Sequence, residues 1–380
     1  MLVFRRDLRN GWRLGSKWVE AVPDPSHFLD PSHGFESPFS LKILILKPSS
    51  LGDVVQALPV LRLIKRQWPE SEIYWWIESG LAPLLEGDPD LTGVIPFDRK
   101  RWGSPLNWLE VLRSIRSLRE ARFDLVIDLQ CLARSASVGW LANGKQFVGL
   151  DVIRESARAF YDVIVPRPVG SEHAVDWYLA VLPQIGVRAD EPFTWLIERP
   201  SIASQVRQRW QVADARWLVL QPGARWETKK WPVEYYVELA RQLTARNNGF
   251  RLAILGGEDD RSLGETIAKE QPERCLDLTG RLSLPEMVEW LRLSELMVTN
   301  DTGPMHVAAA LGKPVIALFG PTNPRRTGPY GQTEQTLQTK SLPCVPCMKG
   351  YCSYEKPLEC LRSISVGAVV EQVSNILSRG

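Results

Sequence analysis

Apolar residues along this chain alternate between two rhythms, short near-continuous runs and longer stretches at helical spacing, and from about residue 41 onward that alternation predicts strand and helix in turn. Leu41-Lys42-Ile43-Leu44-Ile45-Leu46 reads as a buried strand. A loop over Lys47 to Gly52 follows, then a helix from Asp53 to about Gln67, inside which Pro59 removes one backbone donor. Further strands are predicted at 72–77, 93–96, 125–129 and 147–150, with helices at 106–122 and about 172–185. After residue 200 the rhythm restarts, with strands at 217–220, 250–255, 275–278, 296–299 and 315–319 and helices at 232–247, 262–270, 284–293 and 304–311. Near-continuous apolar strands separated by helices belong to parallel sheets covered on both faces. The expectation is therefore an α/β protein of two successive doubly wound domains with separate cores, over 41–190 and 200–380, joined near Pro192 and Pro200. Residues 1–40, punctuated by Pro23, Pro25, Pro31 and Pro38, stand outside the rhythm and are expected to form a loosely ordered polar extension.

Composition narrows the class. Apolar residues at 44% and charged residues at 24% are those of an ordinary globular protein, and a net charge of +2 gives no electrostatic reason for a nucleic-acid partner. No run approaches the roughly 18–20 apolar residues of a membrane span, and the first residues lack the apolar core of a secretory signal, so a cytoplasmic protein is expected. The chain has 15 Trp, most of them expected in the core, although Trp75, Trp76 and Trp102 could instead line a groove.

Ligands of parallel α/β sheets sit beyond the carboxyl ends of the strands, so the loops leaving those ends carry the candidate chemistry. The most informative is Thr299-Asn300-Asp301-Thr302-Gly303-Pro304-Met305-His306, between a strand and a helix. Pro304 suits a first helical turn, the free N–H groups near Asp301, Thr302 and Gly303 can meet an anion, and Gly303 admits a bulky diphosphate. A plain capped helix start is the competing reading. In Ser49-Ser50-Leu51-Gly52-Asp53, Asp53 falls in the first turn of a helix, where a carboxylate either complements the helix dipole or acts as a general base toward a hydroxyl. In the loop Gln221 to Trp231, Lys229 or Lys230 offers a point charge to a phosphate, or is simply solvated. In Gly256-Gly257-Glu258-Asp259-Asp260, an acid just past a strand could accept from a ribose. Neither G-x-G-x-x-G, nor G-x-x-x-x-G-K-[ST], nor H-E-x-x-H is present, and 4 His leave little room for a His-rich metal centre.

Several ordered motifs together resemble the ADP-heptose lipopolysaccharide heptosyltransferases: K-P-S-S-L-G-D-V-V-Q-A-L-P (Lys47 to Pro59), D-L-Q-C-L-A-R-S-A (Asp128 to Ala136), P-G-A-R-W-E-T-K-K-W-P (Pro222 to Pro232), N-D-T-G-P-M-H-V-A-A-A-L-G-K-P (Asn300 to Pro314), and Phe319-Gly320-Pro321-Thr322 with Gly328-Pro329-Tyr330-Gly331. The resemblance runs from about Leu41 to the C-terminus, and the start of the chain is more similar to heptosyltransferase I, which glycosylates Kdo, than to heptosyltransferase II. It implies a GT-B architecture, two facing Rossmann-like domains with a cleft between them, the first binding the acceptor and the second the nucleotide sugar. It further implies inverting transfer of heptose from ADP-L-glycero-D-manno-heptose to the lipopolysaccharide inner core at the cytoplasmic face of the inner membrane. By resemblance Asp53 is the catalytic base, with Ser50 and Gly52 beside it on the acceptor side. Lys229 meets the donor diphosphate, Asp301, Thr302 and Gly303 form the diphosphate turn with His306 one helical turn later, and Glu258 is matched to the adenosine ribose. Cys131 stands where relatives are expected to have Gly, and Gln56 where they often have His. No metal is expected in the chemistry, because Lys229 and the helix amides can meet the leaving diphosphate. A GT-B transferase using another nucleotide sugar and a non-catalytic nucleotide-sugar-binding module are the alternatives; the second has no need of an acid at Asp53.

Two features lie outside this picture. Cys344, Cys347, Cys352 and Cys360 carry one C-x-x-C spacing but not that of a zinc ribbon, so a structural metal stands against free thiols in a packed loop, while Cys131 and Cys275 are expected in the core. Arg113, Arg116, Arg119 and Arg122 recur at helical spacing, either as a solvated face or as a basic surface toward acidic lipid phosphates in a peripheral membrane contact.

Overall fold

The computed structural model describes residues 40–152, 154–212, 215–246 and 249–378, with the backbone of three short strands, β1 (Arg6–Asp7), β2 (Gly11–Leu14) and β3 (Lys17–Trp18). Those strands pair antiparallel, and the remainder of the expected polar extension lies outside the described residues. The first α/β half runs β4 (Lys42–Leu46), α1 (Leu51–Gln67), β5 (Glu72–Glu78), β6 (Gly93–Phe97), α2 (Arg99–Trp102), α3 (Trp108–Glu120), β7 (Leu125–Asp128), α4 (Ala133–Ala142), β8 (Gln146–Leu150), β9 (Val163–Val165), α5 (Ala174–Leu179) and α6 (Val181–Gln184). The second runs α7 (Pro200–Arg209), β10 (Arg216–Gln221), α8 (Val233–Arg246), β11 (Phe250–Ile254), α9 (Arg261–Lys269), β12 (Cys275–Asp277), α10 (Leu284–Leu293), β13 (Leu296–Asn300), α11 (Gly303–Ala310), β14 (Val315–Phe319), α12 (Pro324–Thr327), β15 (Thr336–Gln338), α13 (Glu359–Arg362) and α14 (Val366–Leu377).

All pairings within each half are parallel, and the two six-stranded sheets read β6-β5-β4-β7-β8-β9 and β12-β11-β10-β13-β14-β15. Counted within its own half, each follows the order 3-2-1-4-5-6 of dinucleotide-binding sheets. This is the GT-B arrangement of paired Rossmann-like units, and it puts the order reversal between β4 and β7 in one sheet and between β10 and β13 in the other.

The strand alternation explains the layering. Ile43 and Ile45 of β4 point to one face while Leu44 and Leu46 point to the other, and all four are fully buried. Trp217 and Val219 of β10 likewise oppose Leu218 and Leu220. The outer faces have their own cores, one around Trp76, Phe97, Leu118 and Phe147, the other around Trp231, Tyr236, Leu252 and Val370. The inner faces share one: a single buried cluster runs from Ile45 and Val55 through Met305 and Val307 to Val219 and Phe319. The expectation of separate cores is corrected on this point, because α1 and α11 pack directly on each other between the sheets. Trp75 and Trp76 are buried in the core, with the Trp75 Nε1–H donating to Lys47 O at 3.0 Å. Cys131 and Cys275 are buried as expected.

The predicted 172–185 helix is broken at Ala180, which ends α5 and starts α6; Pro183 lacks the N–H that would carry the ladder across the break. Helix α4 was not among the expected elements. Its Ser- and Gly-containing sequence is held by packing: a Cβ on Gly139 would lie 2.3 Å from Phe147 Cζ. Among the described residues no helix is long and apolar enough to cross a membrane.

Candidate active site

The loop after β4 and the loops after β10 and β13 leave the carboxyl edges of their sheets at the two order reversals, where such folds bind ligands. At the first, Ser50 is the extended N-cap of α1 and Asp53 its third residue. The Asp53 Oδ2 accepts from Ser50 N at 3.0 Å and Ser50 Oγ at 2.7 Å, which fixes the carboxylate at the helix mouth. Its Oδ1 accepts from the Tyr178 hydroxyl at 3.2 Å and lies 3.8 Å from Lys47 Nζ. The ammonium of Lys47 is buried, donates to Leu129 O at 2.9 Å and stands 4.8 Å over the Tyr178 ring. The Asp53 side chain remains 40% exposed, so it is held from behind and open in front. Burial pushes its pKa up, but Lys47, the two Ser50 hydrogen bonds and His306 outweigh that, and the net shift is below the ordinary aspartate value. Asp53 is therefore ionised at neutral pH.

At the second reversal Thr302 is the extended N-cap of α11, with Pro304 in the first turn, so the first backbone N–H groups of the helix lack intrahelical acceptors. The carboxylate of the buried Asp301 does not face outward. Its Oδ2 is 2.7 Å from Lys229 Nζ and accepts from Thr322 Oγ1 at 2.6 Å. Lys229 also lies 4.9 Å over the Trp226 ring, while Lys230 pairs with Glu227 at 2.6 Å. Of the two lysines, Lys229 is thus the one held at the turn. Asn300, fully buried, clamps the lysine loop to the turn: its Nδ2–H donates to Pro222 O at 2.7 Å and its Oδ1 accepts from Trp231 N at 3.1 Å.

Packing of α1 on α11 brings these two mouths together. A Cβ on Gly303 would meet Leu51 Cβ at 2.9 Å, and one on Gly52 would meet His306 Cδ2 at 2.3 Å, so both glycines are needed for the close approach. The Nδ1 of His306 accepts from the Gln56 amide at 3.2 Å. Burial pushes the imidazole down to about 4, against the pull of Asp301 and Asp53, so His306 is neutral at pH 7 and adds no charge. Gly52→Ala is expected to cost about 1–3 kcal/mol of stability by overpacking. Thermal unfolding checks this, and Gly52→Ala with His306→Ala should recover part of the loss; an unchanged melting temperature in the single variant would show that the helices part freely.

The expected site residues Ser50, Gly52, Asp53, Lys229, Asp301, Thr302, Gly303 and His306 thus lie around one junction. Glu258 lies in the loop after β11, its side chain 72% exposed and paired with Arg261 at 3.0 Å. From the same loop Asp260 packs inward, since a Cβ on Gly223 would lie 2.1 Å from its Oδ2. Sequence reasoning gave no role to Lys47, Tyr178 or Asn300; Lys47 and Asn300 lie inside the motifs, whereas Tyr178 lies 125 positions from its partner Asp53. Gln56 supplies the amide that holds His306. Cys131 has φ 55, the left-handed region a glycine fills without strain, and its Sγ donates to Asp128 O at 3.0 Å. The Asp128 carboxylate is fully buried and accepts from Ser135, Tyr161 and the amides of Gln130 and Cys131, a structural role.

Comparison with known proteins agrees with this geometry. A profile of glycosyltransferase family 9 (heptosyltransferase) matches residues 111–358. Lipopolysaccharide heptosyltransferase 1 of Pseudomonas aeruginosa is 34% identical over 332 residues, covering 83% of this chain and 88% of that protein. Lipopolysaccharide heptosyltransferase 2 of Salmonella typhimurium is 30% identical over 315 residues, covering 78% and 88%. Among solved structures, E. coli heptosyltransferase WaaC with ADP-2-deoxy-2-fluoro heptose superposes with a TM-score of 0.70 at 25% identity, over 88% of this chain and 99% of that one. A family 9 glycosyl transferase from Veillonella parvula shares the fold, with a TM-score of 0.75 at 24% identity over 90% and 98%. Paired 3-2-1-4-5-6 sheets, a carboxylate and a lysine-held turn at their two reversals, and a profile match spanning both halves make this chain a member of glycosyltransferase family 9, the heptosyltransferases.

Proposed function

We propose that this glycosyltransferase moves heptose from ADP-L-glycero-D-manno-heptose onto the inner core of lipopolysaccharide in a single inverting displacement. The first half would bind the acceptor and the second the donor. The observation that carries the reading is the junction itself: an ionised carboxylate, open on one side, stands at the mouth of α1 where that helix packs on the amide end of α11, beside which Lys229 is held by Asp301. The acceptor oxygen attacks the anomeric carbon as the bond to the ADP oxygen breaks; the hydroxyl proton passes to Asp53 and the electron pair leaves with ADP. Lys229 and the N–H groups opening α11 meet the charge growing on the diphosphate. Glu258, in the loop after β11, is assigned to the adenosine ribose. Relatives named as lipopolysaccharide heptosyltransferases, one solved with an ADP-heptose analogue, support the choice of donor and acceptor. In this reading the acceptor is lipid-anchored, so the enzyme works at the cytoplasmic surface of the inner membrane without crossing it.

A transfer assay with ADP-heptose and a Kdo-bearing lipid, read by ADP release, product mass and anomeric configuration, tests the proposal. Donor screening separates it from a transferase of another nucleotide sugar, and ADP release without product would leave only a binding or hydrolytic role. Because the charges that meet the diphosphate are the protein's own, added Mg2+ or EDTA is expected to leave the initial rate unchanged; a rate that needs Mg2+ would shift the stabilisation to an ion.

A structural metal on the C-terminal cysteines is a separate element of the proposal. Cys344, Cys347, Cys352 and Cys360 line one small cavity together with Thr228, next to Lys229. Among the described residues no three His, Cys, Asp or Glu side chains are drawn together closely enough to hold an ion, so the thiols would have to close inward. Metal analysis of the purified protein should find one thiophilic ion per chain; folded, metal-free protein would end this element and leave the transferase reading intact.

A further inference from the structure

The edge of the first sheet carries an apolar surface that neither the active site nor the core uses. The chain leaves β6 at its carboxyl end, forms α2, and enters α3 through Leu106. Trp102 fixes α2 from beneath, its ring centroid 5.2 Å from Phe97 and 5.7 Å from Trp76. Leu118 near the other end of α3 is buried against the same cluster. Where the chain enters α3 the outward face is apolar: Leu106 is 89% exposed, and Trp108, Leu109 and Leu112 are each exposed by half or more. The three helical positions share one face of α3 by their spacing.

Basic residues flank this tip. Segment 98–120 contains six Arg and Lys against three Asp and Glu. Each acid is already engaged: Asp98 caps α2 through Lys100 N and Arg101 N, Glu110 pairs with Arg101 at 2.6 Å and Glu120 with Arg116 at 2.6 Å. Arg113 and Arg119 project from α3 without an acidic partner among the described residues. A Trp and Leu tip bordered by unneutralised cations matches a helix that lies in the headgroup region of an anionic bilayer. A second copy of this chain on the same face would set those unpaired cations against each other. Position agrees as well. Because β4, β5 and β6 are parallel, the loop before α3 emerges from the same sheet edge as the loop carrying Ser50 and Asp53.

We propose that α2 and the first turns of α3 form a membrane-docking surface, in which Leu106, Trp108, Leu109 and Leu112 enter the interface of an anionic lipid bilayer and hold the Asp53 side of the cleft toward it. The docking rests on this surface alone; its service to a lipid-anchored acceptor rests on the transferase reading. The test is co-sedimentation of the full-length protein with phosphatidylglycerol-containing vesicles and with pure phosphatidylcholine vesicles, no donor present. Binding is expected to the anionic vesicles only and to weaken with salt. Leu109→Ser with Leu112→Ser should reduce partitioning about tenfold or more, from the apolar burial lost, and Arg113→Glu with Arg119→Glu should reduce it at low salt. Equal binding of the variants, equal binding to neutral vesicles, or no binding at all would overturn the proposal. So would a wild-type dimer in sedimentation that the leucine variant converts to monomer. Transfer to a short water-soluble Kdo acceptor should be the same in wild type and variants; its failure in wild type would count against the transferase reading, not against docking.

Discussion

Asp53→Asn is expected to bind ADP-heptose normally and to lose about 10²- to 10⁴-fold of turnover, the usual contribution of a positioned general base. The substitution preserves shape and an acceptor for the Ser50 hydroxyl while removing the charge that Lys47, Tyr178 and Ser50 surround. Single-turnover transfer alongside donor titration separates the two quantities, and near-normal turnover would remove the base assignment. The pH profile gives an independent check. The Asp53 pKa lies below the ordinary aspartate value, and a general base acts in its deprotonated form. Rate should therefore stay level through neutral pH and fall only as pH drops toward and below the usual carboxylate range. A limb near neutrality would point to another group. It would not be His306, whose imidazole is held down at about 4 by burial.

Lys229→Ala is expected to lower turnover by about 10²- to 10³-fold, the range found when one donor to a developing negative charge is removed, and to weaken ADP binding. The same change leaves the buried Asp301 carboxylate without its cation, so it should also cost stability, up to about 3–5 kcal/mol for a broken buried pair. The two effects can be separated. Lys229→Met with Asp301→Asn removes both charges and should recover much of the stability while leaving turnover low. Recovery of rate along with stability would mean that Lys229 acts only by holding the turn.

The sequence was most legible where chemistry is local. Three to five consecutive apolar residues in β4, β10, β13 and β14 announce strands buried on both faces, because strand alternation then places apolar groups on each. The helix start near Gly303-Pro304 and the acid in the first turn of α1 were equally readable, since capping and first-turn preferences depend on a few neighbouring residues, although the sequence placed the start of α1 at Asp53 and the structure places it at Leu51. Helix α4 was hidden because Ser and Gly give little helical signal, and its stability comes from Gly139 fitting beneath Phe147. The break between α5 and α6 turned on Pro183, within a stretch whose apolar period continues across it.

From the sequence alone came the two α/β halves, the candidate loops at the carboxyl ends of their strands and the residues Asp53, Lys229 and Gly303 within them. Only the tertiary structure decided which groups answer one another: Lys47 and Tyr178 behind Asp53, Asp301 under Lys229, Gln56 against His306 some 250 positions away, and one inner core in place of two. The reason is physical. Periodicity and capping are set within a few residues, whereas an ion pair or a buried imidazole depends on how closely α1 and α11 approach, and that distance is fixed by the absence of a side chain at Gly52 and Gly303.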